Sequence, residues 1–177
     1  MEENDMTHPL VDQLRFTRGE FMRAIEGVSD ADARKRFPPL NCISWNVGHL
    51  AWQEQTRLLY NGQGKKLIPE LEIICGKGQP ATTPPLTEMI EAWKTITKAN
   101  DPWLDSLTQE NLLMRYTVEG QPTNELWGSV LYRIIYHYWY HLGENAGIRQ
   151  ILGHTNLPQF VGNIDDLAPY RPEKTAA

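Results

Sequence analysis

The run from Thr123 to Leu152 constrains this chain most. Read at 3.6 residues per turn, one stripe collects Leu126, Val130, Ile134, His137, His141, Glu144, Ile148 and Leu152. Thr123 stands as an N-cap and Gly153 as a C-cap, which predicts a helix about 45 Å long. His137 and His141 replace apolar residues on its inward seam, and Glu144 returns to the same face. Two imidazoles one turn apart can grip a single transition metal. The same spacing also suits a pair of hydrogen-bonded core histidines. The chain has five histidines, and a third, His49, lies in a helical setting of its own.

Three further long helices are predicted. The first runs from about Pro9 to Ile25, with Thr7 as N-cap, an inner stripe of Leu10, Leu14, Thr17, Phe21 and Ile25, and Gly27 at its end. Ser29 caps a short helix, Asp30 to Arg36, which Phe37-Pro38-Pro39 stops. The second long helix begins near Ser44, ends at Asn61-Gly62 and carries Trp45, His49, Trp52, Gln53, Thr56 and Leu59 on one stripe. The third runs from about Leu86 to Leu107, with a kink or restart at Asn100-Asp101-Pro102. Between the second and third lies a long loop, Asn61 to Pro85, in which Ile68 to Ile74 reads as a short extended piece. Loops of that length are often functional, and this one is placed over a pocket. Its Gly62-Gln63-Gly64-Lys65-Lys66 lacks the spacing of a phosphate loop. Val118 to Pro122 reads as a turn. The expectation is an all-α chain, a four-helix bundle with a long crossover loop, in one domain over residues 1–177, with a loose end at about 172–177.

Charge and cysteine content narrow the class. Acidic side chains outnumber basic ones 22 to 17, for a net charge of −5, and the basic residues are scattered. A nucleic-acid partner is not expected. No apolar run approaches the roughly 20 residues that span a bilayer, and the acidic start is not the basic region of a signal peptide. Cys42 and Cys75 form no C-x-x-C pair and no disulfide framework; both read as small buried apolar residues. A soluble protein of a reducing cytoplasm is the expectation.

Two motifs carry a family resemblance. One is Trp45-Asn46-Val47-Gly48-His49-Leu50-Ala51-Trp52, behind a capped short helix; the other is His137-x-x-x-His141-x-Gly143-Glu144. In this order, and with the Ile148 to Gly153 ending, they resemble the DinB-like superfamily over nearly the whole chain. That resemblance implies a four-helix bundle whose three histidines bind one divalent metal, here His49, His137 and His141. It also implies kinship with bacillithiol and mycothiol transferases and isomerases, and with the metal-binding domain of ergothioneine-forming sulfoxide synthases. A homodimer is plausible on the same ground. Zinc or nickel is the expected metal, with iron as the alternative.

Three imidazoles leave a place open, as catalytic rather than structural zinc does. A thiol or water entering that place is deprotonated more easily. Glu144 is the candidate catalytic residue, as a carboxylate on an imidazole, a fourth ligand or a general base; a buried ion pair with Arg133 or Arg149 is the structural alternative. Gln53, Trp45, Trp52, Arg133 and Trp139 are candidates for the pocket around the metal. Arg133 can hold an anionic substrate or make a salt bridge within the bundle. His8 and His154 read as solvent-facing. The leading function is thiol-dependent transfer, hydrolysis or isomerisation of a small molecule, in which a low-molecular-weight thiol takes part. The alternatives are non-haem iron chemistry with oxygen, and a non-catalytic metal-binding or stress-response bundle acting through dimerisation.

Overall fold

The computed structural model describes residues 7–159 and 161–171, so the expected loose end at 172–177 lies outside the described residues. Helix α1 (Pro9–Ala24) is capped by His8 rather than Thr7: the His8 Nδ1 accepts from the Leu10 amide at 3.1 Å, and its Nε2 meets Gln109 Oε1 at 3.0 Å. His8 is therefore partnered on the surface. Leu14 and Phe21 on the α1 stripe are fully enclosed, and burying such a side chain stabilises by about 1.5–3 kcal/mol. Helix α2 (Asp30–Ala33) is shorter than expected but keeps its Ser29 cap, which accepts from the Asp32 amide at 3.1 Å.

Helix α3 (Ile43–Glu54) is buried on every side from Ile43 to Ala51, as a helix in the middle of a core must be. It does not stop at Asn61-Gly62. A π-helical segment, Gln55–Tyr60, and the short α4 (Asn61–Gln63) continue it to Gly64. The expected extended piece is a helix, α5 (Leu71–Cys75), folded against α3. The approach depends on Gly48. A Cβ there would lie 2.5 Å from both Cys75 Sγ and Met89 Sδ, well inside van der Waals contact. The loop is further pinned by Gln55, whose Oε1 accepts from the amides of Leu67 and Ile68 and whose amide donates to the Ile68 carbonyl.

Helix α6 (Leu86–Asp105) runs through Pro102 without restarting. Proline lacks one N–H, and tertiary ties hold the last turn around it: Asn100 bonds to Glu54, and Asp101 to Arg18 and Arg15. Helix α7 (Gln109–Leu113) follows, with Thr108 and Asn111 in a reciprocal capping box.

The mostly helical chain agrees with the all-α expectation and adds one small sheet between α7 and the last long helix. Strands β1 (Arg115–Val118) and β2 (Gln121–Leu126) form an antiparallel hairpin in which Val118 faces Gln121. Its two-residue turn has positive φ at both Glu119 (50°) and Gly120 (76°), the arrangement that matches strand twist. Leu126 thus belongs to a strand, not to the helix stripe, and Thr123 is not an N-cap. Helix α8 (Trp127–Ile151) is 25 residues long, about 37 Å rather than 45. A last short turn, α9 (Ile164–Leu167), packs on α1. The protein is mostly helical with one small sheet. Helix α3 lies against α6, α1 against α8, and α3 also meets α8. No helix among the described residues is long and apolar enough to cross a membrane.

A buried ionic network ties these helices together. Arg18 of α1 donates from Nε to Glu54 Oε1 of α3 at 2.9 Å and pairs through Nη2 with Oε2. Tyr138 of α8 donates to Glu54 at 2.7 Å and accepts from the Trp93 indole of α6 at 2.6 Å. Burial alone would make Arg18 easier to deprotonate, but the charge and hydrogen bonds of Glu54 hold its pKa above the usual value. Burial raises the Tyr138 hydroxyl well above its ordinary range, so it stays a donor.

Candidate metal centre

His49 reaches the interior because α3 has no exposed face there. Its Nδ1 lies 2.7 Å from the carbonyl of Cys75. A carbonyl can only accept, so Nδ1 carries the proton and Nε2 is left with its lone pair. Trp45 stacks on the imidazole at 4.5 Å between ring centres and 12° between planes, and Trp52 covers it at 5.2 Å. These contacts fix the ring from both sides. Trp52 is itself anchored through its indole to Glu72 at 2.7 Å.

His141 is oriented in the same manner by α8 itself. Its Nδ1 lies 2.7 Å from Glu144 Oε2, one turn further along, so this nitrogen donates and Nε2 is again the free one. Asn46 of α3 donates to the same carboxylate at 3.1 Å and to Asn145 at 2.8 Å. Glu144 is therefore held on the side of His141 away from the other imidazoles. It pairs with neither Arg133, which meets Glu125, nor Arg149, which bonds to the Ala24 carbonyl and to His154. His154 also lies close to Asp32, at 3.5 Å.

His137 completes the group. One nitrogen from each of His49, His137 and His141 lies within 4.8 Å of the others, and this buried set could hold a metal ion. The Nε2 atoms of His137 and His141 face each other at 3.0 Å, while His137 Nδ1 is enclosed with no hydrogen-bond partner. Without a cation, this contact closes only if His137 carries its proton on Nε2 and donates it to His141. A bound cation would take the place of that proton, with His49, His137 and His141 as the residues that would hold it. Two nitrogens on one tetrahedral zinc lie about 3.3 Å apart, close to the 3.0 Å between His137 and His141.

The electrostatics favour neutral ligands. Burial lowers the His49 pKa to about 4, with His141 adding to the shift and the Cys75 carbonyl opposing it. Burial lowers His137 to about 3, helped by His141, His49 and Arg57. Both rings are lone-pair donors at neutral pH, which metal binding requires. Cys75 is no rival ligand: burial, with Cys42 nearby, pushes its thiol up to about 12. Both cysteines are buried and free.

A cleft of about 850 Å³ opens onto His49 and His137. Trp52, Gln53 and Arg133 line it. Trp45 lies beneath His49 instead of on the wall. Trp139 faces α1, with its indole on Thr17 at 3.2 Å and its ring 6.5 Å from Phe16, and is not a wall residue. Sequence reasoning missed Arg57, Lys77, Tyr116 and Glu125, which also line the cleft. A signal existed for Arg57, since His49, Gln53 and Arg57 recur every four residues. None existed for the hairpin residues or for the Cys75 carbonyl, because backbone groups leave no mark on sequence.

A search of curated proteins finds no match to this chain. The pattern of the DinB superfamily matches residues 13–144, which span both histidine motifs and all three imidazoles, and the chain belongs to that superfamily.

Proposed function

We propose that this protein is a metal-dependent enzyme that uses His49, His137 and His141 to hold one divalent transition metal and acts on a small molecule in the adjoining cleft. Thiol-dependent transfer, hydrolysis or isomerisation is the reading that suits the site best. We read α1, α3, α6 and α8 as the four helices of a bundle within one domain. The observation that carries the proposal is the pair of facing Nε2 atoms in a buried group whose other nitrogens are already committed, for His49 and His141, to Cys75 and Glu144.

A bound divalent cation would supply Lewis acidity, with zinc or nickel the best fit to an all-imidazole set. The chain's own residues do the rest. The Cys75 carbonyl and the Glu144 carboxylate hold two rings in the tautomer that presents Nε2. Trp45 and Trp52 cover the His49 ring from both sides. Glu144 acts as the orienting carboxylate of His141. The open side faces the cleft, where a substrate has access to His49 and His137.

Elemental analysis of untagged protein tests the site. About one equivalent of metal, lost from His49→Ala, His137→Ala and His141→Ala, is the expected result. Protein without metal, or variants that keep it, would overturn the proposal. The reaction class is tested by assaying the loaded protein with a thiol and an aryl halide, where turnover that depends on both metal and thiol is expected.

A further inference from the structure

Cations gather in the cleft, although the chain as a whole is acidic. Arg57 leaves the π-helical segment, Arg133 leaves α8, and Lys77 follows α5; all three line the same space as His49 and His137. Glu125 of β2 is the one carboxylate among the described residues of that lining. It is shared: its Oε2 lies 3.2 Å from Arg57 Nη1 and its Oε1 2.9 Å from Arg133 Nε. Lys77 has no acidic partner among the described residues. Three cations thus face one carboxylate, which leaves an excess of positive charge in a partly enclosed space.

We infer that Arg57, Arg133 and Lys77 form an oxyanion subsite, and that the substrate carries a carboxylate or phosphate remote from its reacting atom. This rests on reading the cleft as the substrate site. Glu125 is the internal stand-in for that group. Each guanidinium has five N–H donors in a planar fork suited to carboxylate or phosphate, and Glu125 takes only one such contact from each. Arg57 is held for the task by the Tyr116 ring, 5.6 Å below its guanidinium carbon, and Tyr116 is fixed in turn by Asn61. An incoming anion displaces the carboxylate from Arg57 and leaves Glu125 on Arg133. Field focusing in a cationic cleft also draws anions in faster than the net charge of the chain would allow.

The test is a titration of zinc-loaded protein with succinate and, separately, with inorganic phosphate, followed by calorimetry and by the ¹⁵Nε resonance of Arg57. Saturable binding is expected for at least one of the two, and the better binder tells carboxylate from phosphate. Arg57→Gln should weaken it at least about tenfold, the loss of one charge-assisted bidentate contact. Glu125→Gln should tighten it several-fold by freeing both arginines. The titration is repeated on His141→Ala, which lacks a complete triad. Binding that survives there and still depends on Arg57 supports the subsite whatever becomes of the metal. Binding that vanishes with the triad and ignores Arg57→Gln places the anion on the metal; it overturns the subsite and leaves the metal reading intact. No binding of either anion overturns the subsite outright.

Discussion

Two clusters of buried polar groups sit in the interior of this protein, and they differ in how completely they are satisfied. Around Glu54 the account closes: Arg18, Asn100 and Tyr138 all bond to the one carboxylate, and Trp93 bonds to Tyr138. Around the three histidines it does not. His137 Nδ1 and Gln53 Oε1 are enclosed without partners, and two ring nitrogens confront each other across 3.0 Å. Polar groups in a low-dielectric interior are costly unless paired. A closed network therefore reads as architecture, and an open one as a place where something else binds. Both clusters use side chains of α3 and α8, so the same helices serve both purposes on different faces.

Breaking the closed cluster should have the largest effect. Glu54→Ala leaves the Arg18 guanidinium buried without its partner, and a loss of about 3–5 kcal/mol is expected, measured by urea unfolding of protein with its metal removed. A change below about 1 kcal/mol would show that water or Asp101 compensates, and the contrast between the clusters would weaken.

The open cluster should respond to metal instead. Zinc at a hundredfold excess over its dissociation constant should raise wild-type stability by about 2.7 kcal/mol, while His141→Ala should be little destabilised and should gain nothing. Equal zinc stabilisation of both proteins would place the ion elsewhere. Glu144→Gln keeps the shape but weakens the acceptor for His141, and a 10- to 100-fold loss of metal affinity is expected, read by competition with a chromophoric chelator. Unchanged affinity would reduce Glu144 to a structural residue.

Gly48→Ala tests what positions the triad. The new methyl collides with Cys75 and Met89, and a cost of about 1–3 kcal/mol is expected from overpacking. Because α5 must retreat, the Cys75 carbonyl moves off His49, and metal affinity should fall with stability. A fall in stability alone would separate the carbonyl from the ligand's orientation.

Within one unit of neutral pH the smallest effect is that of pH itself, and it accumulates as the pH falls further toward the lowered values of the two histidines. His49 and His137 have folded pKa values of about 4 and about 3, against an ordinary value near 6.5 in the unfolded chain. The unfolded state therefore takes up protons first as the pH falls. The metal-free protein is stabilised by these groups above about pH 6.5 and loses that stability as pH falls through about 4 for His49 and about 3 for His137, by about 0.7 kcal/mol per histidine between pH 7 and pH 6. His137→Gln should flatten the profile. An equally steep profile in that variant would assign the proton uptake to other groups.

Much of this was legible in the sequence because it depends on periodicity. The stripes on α1, α3 and α6, and the one-turn spacing of His137 and His141, follow from 3.6 residues per turn wherever those helices sit. The misreadings have a common cause. Leu126 and Thr123 suit a helix by local pattern, yet the Glu119-Gly120 turn folds them back on β1. Ile68 to Ile74 has the composition of a strand, but docking on α3 at Gly48 makes its second half helical. Pro102 favours a kink or restart, and ties to Glu54, Arg15 and Arg18 carry the helix past it without a restart. In each case contacts between distant segments outweighed local preference.

By itself the sequence determined which side chains can serve as ligands, and that two of them share a helix face, because those facts concern residues near one another along the chain. Only the tertiary structure decided that His49, 88 residues before His137, brings its Nε2 to the same point. It alone decided, too, that a backbone carbonyl and Glu144 set the tautomers, and that a hairpin places Glu125 between two arginines. Those outcomes depend on directions and distances between packed elements, to which hydrogen bonds and buried charges respond within tenths of an ångström, and no spacing along a chain encodes them.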